Sequence, residues 1–356
     1  MKLEGLAYNL DDIVPVSIEI NKGNVKKIKK ISTTNSKKIF LPPFVNSHIH
    51  IGDAGILLEP AMDVKSTVAP PDGLKYKGYK EIPIKDRMKN AHYYIKEMVR
   101  EGILRFVDFR EEGIFGIESL LKLSKSIKNY STILGRPNQM TYDKNELDNV
   151  LNYSDGLGLS GMAEWDFNEL NKIRKHTKER KKLFGIHVSE DKREDISKIV
   201  SLMPDFIVHM TLSTEEDIKK IALNNIPIIV CPRSNLIFGN IPPVDVMLKH
   251  NVQVMIGTDN SFLNYPSIFR EMEIAYKLFH RKGVTAKSIL KMATISSYKT
   301  FDFPWKLDVE EMNSFLVYKV SKYDLKNLDY SIVNFGNSRK IEMSFLRGSR
   351  VSIDSI

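Results

Sequence analysis

A chain of 356 residues with 42% hydrophobic and 27% charged side chains is neither disordered nor a minimal domain; it has material for one large α/β domain with an appendage, or for two domains. Its single cysteine, Cys231, excludes an internal disulfide framework and a cysteine-based zinc site, so a transition-metal site is expected to draw on histidine and carboxylate. The net charge of +9 comes from lysines scattered among acids, as in Lys-Glu-Arg-Lys-Lys at 178–182, which reads as a solvated basic surface before it reads as a nucleic-acid face.

Taken in chain order, the first twelve residues place acids where a secretory signal needs an apolar core. No apolar run reaches the roughly 18–20 residues of a membrane span. A soluble, cytoplasmic protein without membrane contact is expected. Val14–Ile20 and Val25–Ile31 alternate apolar and polar residues around Asn21-Lys22-Gly23, a hairpin signal. From 42 to 305 the pattern changes to short apolar runs followed by amphipathic stretches. Eight runs can be read: Phe44–Asn46, Leu104–Phe109, Ser131–Leu134, Gly156–Leu159, Lys182–Ile186, Phe206–Val208, Ile226–Val230 and Gln253–Gly257. Helices fit between them at Arg87–Glu101, Ile117–Ile127, Asp166–Arg180, Thr214–Asn224 and Pro266–Arg281. Eight strands alternating with helices imply a (β/α)8 TIM-type barrel over 42–305. The connection over 51–83, which includes Ala-Pro-Pro-Asp-Gly, is too long for a simple loop and reads as a cover over a site. Beyond 305, Ser314–Val320, Ser331–Phe335 and Lys340–Arg347 read as short strands, so 1–41 and 306–356 are expected to form a small β domain.

The barrel sets a demand on the chemistry, because such folds carry it at the C-terminal ends of their strands. His48 and His50 end the first run, and alternate residues of a strand share a face, so two imidazoles could chelate one metal. Each alone is as readily a surface histidine. His187 ends Lys-Leu-Phe-Gly-Ile, His209 ends Asp-Phe-Ile-Val and Asp259 ends Val-Met-Ile-Gly-Thr; five polar residues in one register are harder to assign to core hydrogen bonding. Imidazoles with a carboxylate suit zinc or ferrous iron, either of which can supply hydroxide near neutral pH. Glu190, three residues after His187, could move protons to a substrate nitrogen and a leaving group, although it also sits in a charged run. Asp53 and Asp108 follow the first two strands and could support ligands. Arg233 and Asn235, in Val-Cys-Pro-Arg-Ser-Asn-Leu, are candidates to bind substrate, with a structural salt bridge the alternative for Arg233. His92, His176, His250 and His280 read as surface or capping residues.

Pro-Phe-Val-Asn-Ser-His-Ile-His, His-Val-Ser-Glu, Val-His-Met-Thr, Cys-Pro-Arg-Ser-Asn-Leu and Gly-Thr-Asp-Asn, in that order, resemble the amidohydrolase superfamily over most of the chain. The set is most similar to the branch that holds cytosine, guanine and S-adenosylhomocysteine deaminases and the triazine hydrolases. The resemblance implies that His48, His50, His187 and Asp259 ligate one metal, zinc first and iron second. It implies that Asp259 also takes a proton from the attacking water, that His209 orients the water or substrate, and that Glu190 shuttles protons. It implies a small β-sandwich built from both termini. Gly-Leu-Gly-Leu-Ser-Gly-Met at the end of the fourth strand lacks the lysine of binuclear branches and favours a mononuclear site. Asn313-Ser314 replaces the Ala-Asp usual in the C-terminal strand, and His-Met-Thr is shorter than the histidine-rich run of several deaminases.

The expected activity is therefore metal-dependent hydrolysis of a non-peptide carbon–nitrogen bond in a small molecule, first as deamination of an aminated heterocycle or nucleoside. Opening of a cyclic amide or imidazolone-type ring is the alternative within enzymes. A nucleic-acid-binding protein and an inactive barrel stand lower, and homo-oligomerisation is left open.

Overall fold

A computed structural model describes every residue except Leu307 and Val309. The N-terminal end supplies β1 (Lys2–Tyr8), β2 (Ile13–Asn21), β3 (Asn24–Lys30) and β4 (Lys38–Leu41). The middle supplies β5 (Phe44–His50), β6 (Ile103–Arg110), β7 (Ser131–Gly135), β8 (Gly156–Leu159), β9 (Leu183–Val188), β10 (Phe206–His209), β11 (Ile228–Val230), β12 (Val254–Ile256) and β13 (Asp259–Asn260). The C-terminal end adds β14 (Phe315–Lys319), β15 (Ile341–Leu346) and β16 (Ser349–Arg350). Two compact units separate: Met1–Val45, Lys96–Leu104 and Ser267–Ile356 in one, Asn46–Ile95 and Arg105–Pro266 in the other.

Strands from both ends share one sheet, in the order β1-β2-β3-β16-β15-β14-β4, and it closes where β4 pairs parallel with β1. The expected sandwich is thus replaced by a small closed barrel. Its interior is apolar: Val16, Ile18, Phe40, Phe315, Val317 and Phe345 are buried together, with Phe315 stacked on Phe345 at 4.7 Å between ring centroids. The β2–β3 turn at Lys22-Gly23 has φ of 46° and 79°, the doubly left-handed turn that matches strand twist and that glycine makes inexpensive. Ser331–Phe335 is not a strand. Leu328–Phe335 is a helix whose buried Leu328, Ser331 and Ile332 recur at helical spacing.

The second sheet runs β12-β11-β10-β9-β8-β7-β6-β5-β13. All seven residues of β5 and all eight of β6 are buried, as parallel strands covered on both faces require. β12 pairs with β11 while β13 pairs with β5, and only Gly257 and Thr258 separate them. The Gly257 N–H donates to Val230 O and the Thr258 N–H to His48 O. One broken eighth strand thus spans from β11 to β5, which is a TIM-like barrel. The break is pinned by Asn46, whose amide donates to Thr258 Oγ1 at 2.7 Å and accepts the Thr258 N–H at 3.0 Å. Inside, Gly158 and Gly185 leave room for the rings of Phe109 and Phe206; a Cβ on either glycine would sit 2.4–2.5 Å from those rings. Among the described residues no helix is long and apolar enough to cross a membrane.

Candidate metal centre and catalytic site

β5 delivers His48 and His50 to one face at its C-terminal end, with ring centroids 4.8 Å apart. β9 delivers His187, β10 delivers His209 and β13 delivers Asp259, all to the same place. The His48 ring lies 4.9 Å from His187 and 5.9 Å from His209. Backbone strain accompanies the delivery. Ser189, His209 and Asp259 have φ of 51°, 76° and 62°, left-handed values that cost non-glycine residues free energy and cluster at functional sites.

At His187 and His50 the hydrogen bonds fix which ring nitrogen carries the lone pair. His187 Nδ1 is 2.7 Å from Leu159 O, an acceptor only, so Nδ1 carries the proton and Nε2 the lone pair. His50 Nδ1 is 2.8 Å from Glu111 Oε1. Burial works against the Glu111 charge, but Lys75 and His50 hold its carboxyl well below the usual range, so His50 also donates from Nδ1. The His50 Nε2 lone pair faces Asp259 Oδ1 at 3.6 Å, and His48 Nε2 lies 3.2 Å from that same oxygen. Apart from that contact with the Asp259 carboxylate, neither nitrogen of His48 makes an aligned hydrogen bond, although the residue is fully buried. Burial pushes the His50 pKa down to about 4 and, with the crowd of imidazoles, His187 well below its ordinary value. Burial resists the Asp259 charge too, yet His48 and His209 keep its carboxyl ionised. Asp259 is braced by Ser234 Oγ at 2.5 Å and by the Asn260 amide at 2.9 Å.

This donor set fits a divalent metal. Imidazole nitrogens and a carboxylate converge in a buried place, and a buried histidine with no aligned hydrogen bond on either nitrogen is costly unless something binds it. Ligand atoms of His48, His187 and His209 lie within 4.8 Å of one another, as do those of Glu190, His209 and Asp259. A third such group joins His48 and Asp259 to Cys231. Sequence reasoning excluded a site built from cysteines and overlooked a single thiol beside the histidines.

His209 differs from the other rings. Its Nδ1 faces the Asn235 amide nitrogen at 3.1 Å, which as oriented leaves the ring proton on Nε2, 3.4 Å from Glu190 Oε2. Burial takes its pKa down to about 3. Glu190 hangs from the turn after β9, where Thr211 Oγ1 bonds the carbonyls of Ser189 and Glu190. Burial, then Asp259 and Glu164, raise the Glu190 carboxyl well above the ordinary range, which favours its acid form.

A family model described as Amidohydrolase family matches residues 39–307. The chain belongs to the amidohydrolase family. An uncharacterized protein of Methanocaldococcus jannaschii is 37% identical over 288 residues, 74% of this chain and 73% of that one. A 5-methylthioadenosine/S-adenosylhomocysteine deaminase of Caldicellulosiruptor saccharolyticus is 27% identical over 325 residues, 80% of this chain and 72% of its own length. The zinc-bound crystal structure of an adenosine deaminase from Xanthomonas campestris shares the fold at a TM-score of 0.74 and 14% identity, covering 98% of this chain and 92% of that one.

The amidohydrolase site opens into a cavity of about 270 Å³ reached by His50, His187, Glu190, His209 and Asp259. Arg233 is absent from its lining. Its guanidinium donates to Tyr265 O at 3.1 Å and Asn264 Oδ1 at 3.0 Å, bracing the loop after β13. Asn235 meets His209 and is likewise absent from the lining. His176, expected at the surface or as a cap, is buried, with Nε2 2.9 Å from Asp148 Oδ1. Asp53 and Asp108 accept the Ser261 and Ile51 N–H groups, and burial raises their carboxyls to about 8 and about 6. Sequence reasoning missed Lys75, Glu111, Arg136 and Glu164, which also line the cavity. Lys75 comes from the expected cover, within the helix Leu74–Glu81.

Proposed function

We propose that this amidohydrolase deaminates an aminated heterocycle or nucleoside, using one divalent metal held by His48, His50, His187 and Asp259. The observation that carries the reading is the convergence of those donors beside the Glu190 carboxyl, whose Oε2 lies 3.4 Å from His209 Nε2. Deamination by metal-activated water needs both, a place to make hydroxide and an acid to protonate nitrogen. The deaminase name of the Caldicellulosiruptor relative supports the substrate class, and the zinc of the adenosine deaminase neighbour supports zinc over iron.

A bound zinc ion would supply hydroxide at neutral pH by lowering the pKa of its water. The chain's own residues do the rest. Asp259, ionised and braced by Ser234 and Asn260, accepts the proton of the attacking water. Glu190 gives its proton to the ring nitrogen as the new carbon–oxygen bond forms at the amine-bearing carbon. His209, with its proton on Nε2, donates to the oxygen being added and fixes its direction. Collapse then breaks the carbon–nitrogen bond: the proton on Asp259 passes to the departing nitrogen, the proton left on the added oxygen returns to Glu190, and ammonia leaves with a carbonyl remaining. The buried walls keep these groups in a low-dielectric setting where each charge acts strongly.

The test is ammonia release by the zinc-loaded protein against a panel of aminopurines, aminopyrimidines, their nucleosides and cyclic amides. Ammonia from an aminated ring, abolished by chelation, is expected. Ring opening of a cyclic amide with no ammonia from any amine would overturn the reading.

A further inference from the structure

We propose that Lys75 is a positioning residue that ties the 51–83 connection to two metal ligands, so that metal retention and docking of the Leu74–Glu81 helix depend on each other. The inference rests on His50 and Asp259 being metal ligands, as proposed above. Lys75 is buried, and its ammonium stands among three oxygens: Glu111 Oε1 at 2.5 Å, Asn260 Oδ1 at 2.9 Å and Asp53 Oδ2 at 3.6 Å.

Each strong contact leads one step further to a ligand. Glu111 Oε1 is the same oxygen that His50 Nδ1 bonds at 2.8 Å. Asn260, whose oxygen accepts from Lys75, donates its amide to Asp259 Oδ1 at 2.9 Å. One ammonium thus fixes the rotation of a ligating imidazole through a carboxylate and that of a ligating carboxylate through an amide. Without the lysine charge, Glu111 would be a buried carboxylate left with the His50 N–H, the Tyr79 hydroxyl and the more distant Arg136 charge, and Asn260 could turn its oxygen toward Asp259.

The helix is built to hold that charge in place. Tyr79, one turn after Lys75 and so on the same helix face, donates to the other Glu111 oxygen at 3.2 Å. Gly78 lets the helix approach Ile56, since a Cβ there would lie 2.7 Å from an Ile56 methyl. Arg87, beyond the helix, donates to Gly52 O at 2.9 Å and closes the base of the connection. Groups that orient metal ligands from behind commonly change metal affinity by about 10–100-fold when removed. Coupling between two events is reciprocal, so a bound metal must also stabilise the docked helix.

Two measurements test this on the full chain, with zinc alone as the probe. In competition with a chromophoric chelator, Lys75→Met should bind zinc about 10–100-fold more weakly than the parent. A lysine that only packed the connection would lower the unfolding temperature with and without zinc and leave affinity in place. If Lys75→Met does not fold, the parent answers instead. Acylation of amines followed by mass spectrometry should modify Lys75 faster in metal-free than in zinc-loaded protein. Equal zinc affinity in Lys75→Met and the parent, or equal labelling of Lys75 with and without zinc, would overturn the inference while leaving the metal site standing. A parent chain that takes up no zinc would overturn the metal site and this inference with it.

Discussion

Gly158→Ala is a small change with a calculable cost. The new Cβ would lie 2.5, 2.8 and 2.9 Å from three atoms of the Phe109 ring, where carbon atoms ordinarily rest about 3.5–4.0 Å apart. Gly158 has no left-handed φ, so the penalty is steric alone. Phe109 has little room to retreat: its ring centroid is 4.3 Å from His48, 5.2 Å from His187 and 6.1 Å from Phe206. Overpacking of this kind costs about 1–3 kcal/mol. An unfolding entropy of roughly 2.1 cal/mol/K per residue gives about 0.75 kcal/mol/K for the chain, so the melting temperature should fall by about 1–4 °C. Because the displaced ring presses on His48, zinc affinity should fall as well. Differential scanning calorimetry with and without zinc, beside chelator competition, reads both quantities. A variant that matches the parent in melting temperature and in zinc affinity would refute the idea that Phe109 is wedged beneath the histidines.

Three further outcomes follow. Glu190→Gln should lower kcat by about 10²–10⁴-fold while zinc content by metal analysis stays that of the parent; unchanged kcat would remove Glu190 from proton transfer. Stripping the metal should abolish activity, and zinc restored to about 100 times its Kd should stabilise the fold by about 2.7 kcal/mol, seen as a rise in melting temperature; no rise would mean no folded-state site. Asp217 caps the Glu215–Leu223 helix through Thr214 and receives the Arg193 fork at 2.8 and 3.0 Å. Burial works against its charge, but Arg193 and Thr214 bring the carboxyl down to about 2. A depressed carboxyl stabilises fully above its ordinary pKa of 3.8 and loses that contribution as pH falls toward 2. Asp217→Asn should therefore cost about 1 kcal/mol at neutral pH in denaturant unfolding, and the gap to the parent should narrow below about pH 4. A gap that stays constant down to about pH 2 would refute the assignment.

The barrel and the donor cluster were legible because they depend on local rules. Apolar runs in β5, β9, β10 and β12 lead into His48, His187, His209 and Asp259, and a period of two fixes that His48 and His50 share a face. What lay hidden depends on how distant segments dock. Lys75 sits in Gly-Leu-Lys-Tyr-Lys-Gly-Tyr-Lys, where nothing local separates the buried lysine from its exposed neighbours. Glu111 and Glu112 are adjacent and identical, yet the first meets His50 and Lys75 while the second pairs with Arg87 at 2.8 Å. Arg233 follows a barrel strand, which left substrate binding and a structural role equally open, and only the tertiary fold shows its long side chain reaching the 264–265 carbonyl and amide. At the C-terminal end, Ser-Ile-Val-Asn-Phe has strand composition, but burial at Leu328, Ser331 and Ile332 follows a helix. The closure of the terminal sheet rests on pairing between β1 and β4, some thirty residues apart, which no local pattern announces.

The central claim is one metal ion held between β5, β9 and β13. Crystals of the zinc-loaded chain, with diffraction recorded on both sides of the zinc absorption edge, test it most directly. The account predicts a single anomalous peak in contact with His48, His50, His187 and Asp259, and with Lys75 still on Glu111. A peak held by other residues, a second peak of equal strength between Glu111 and Asp53, or no peak at these histidines would contradict it.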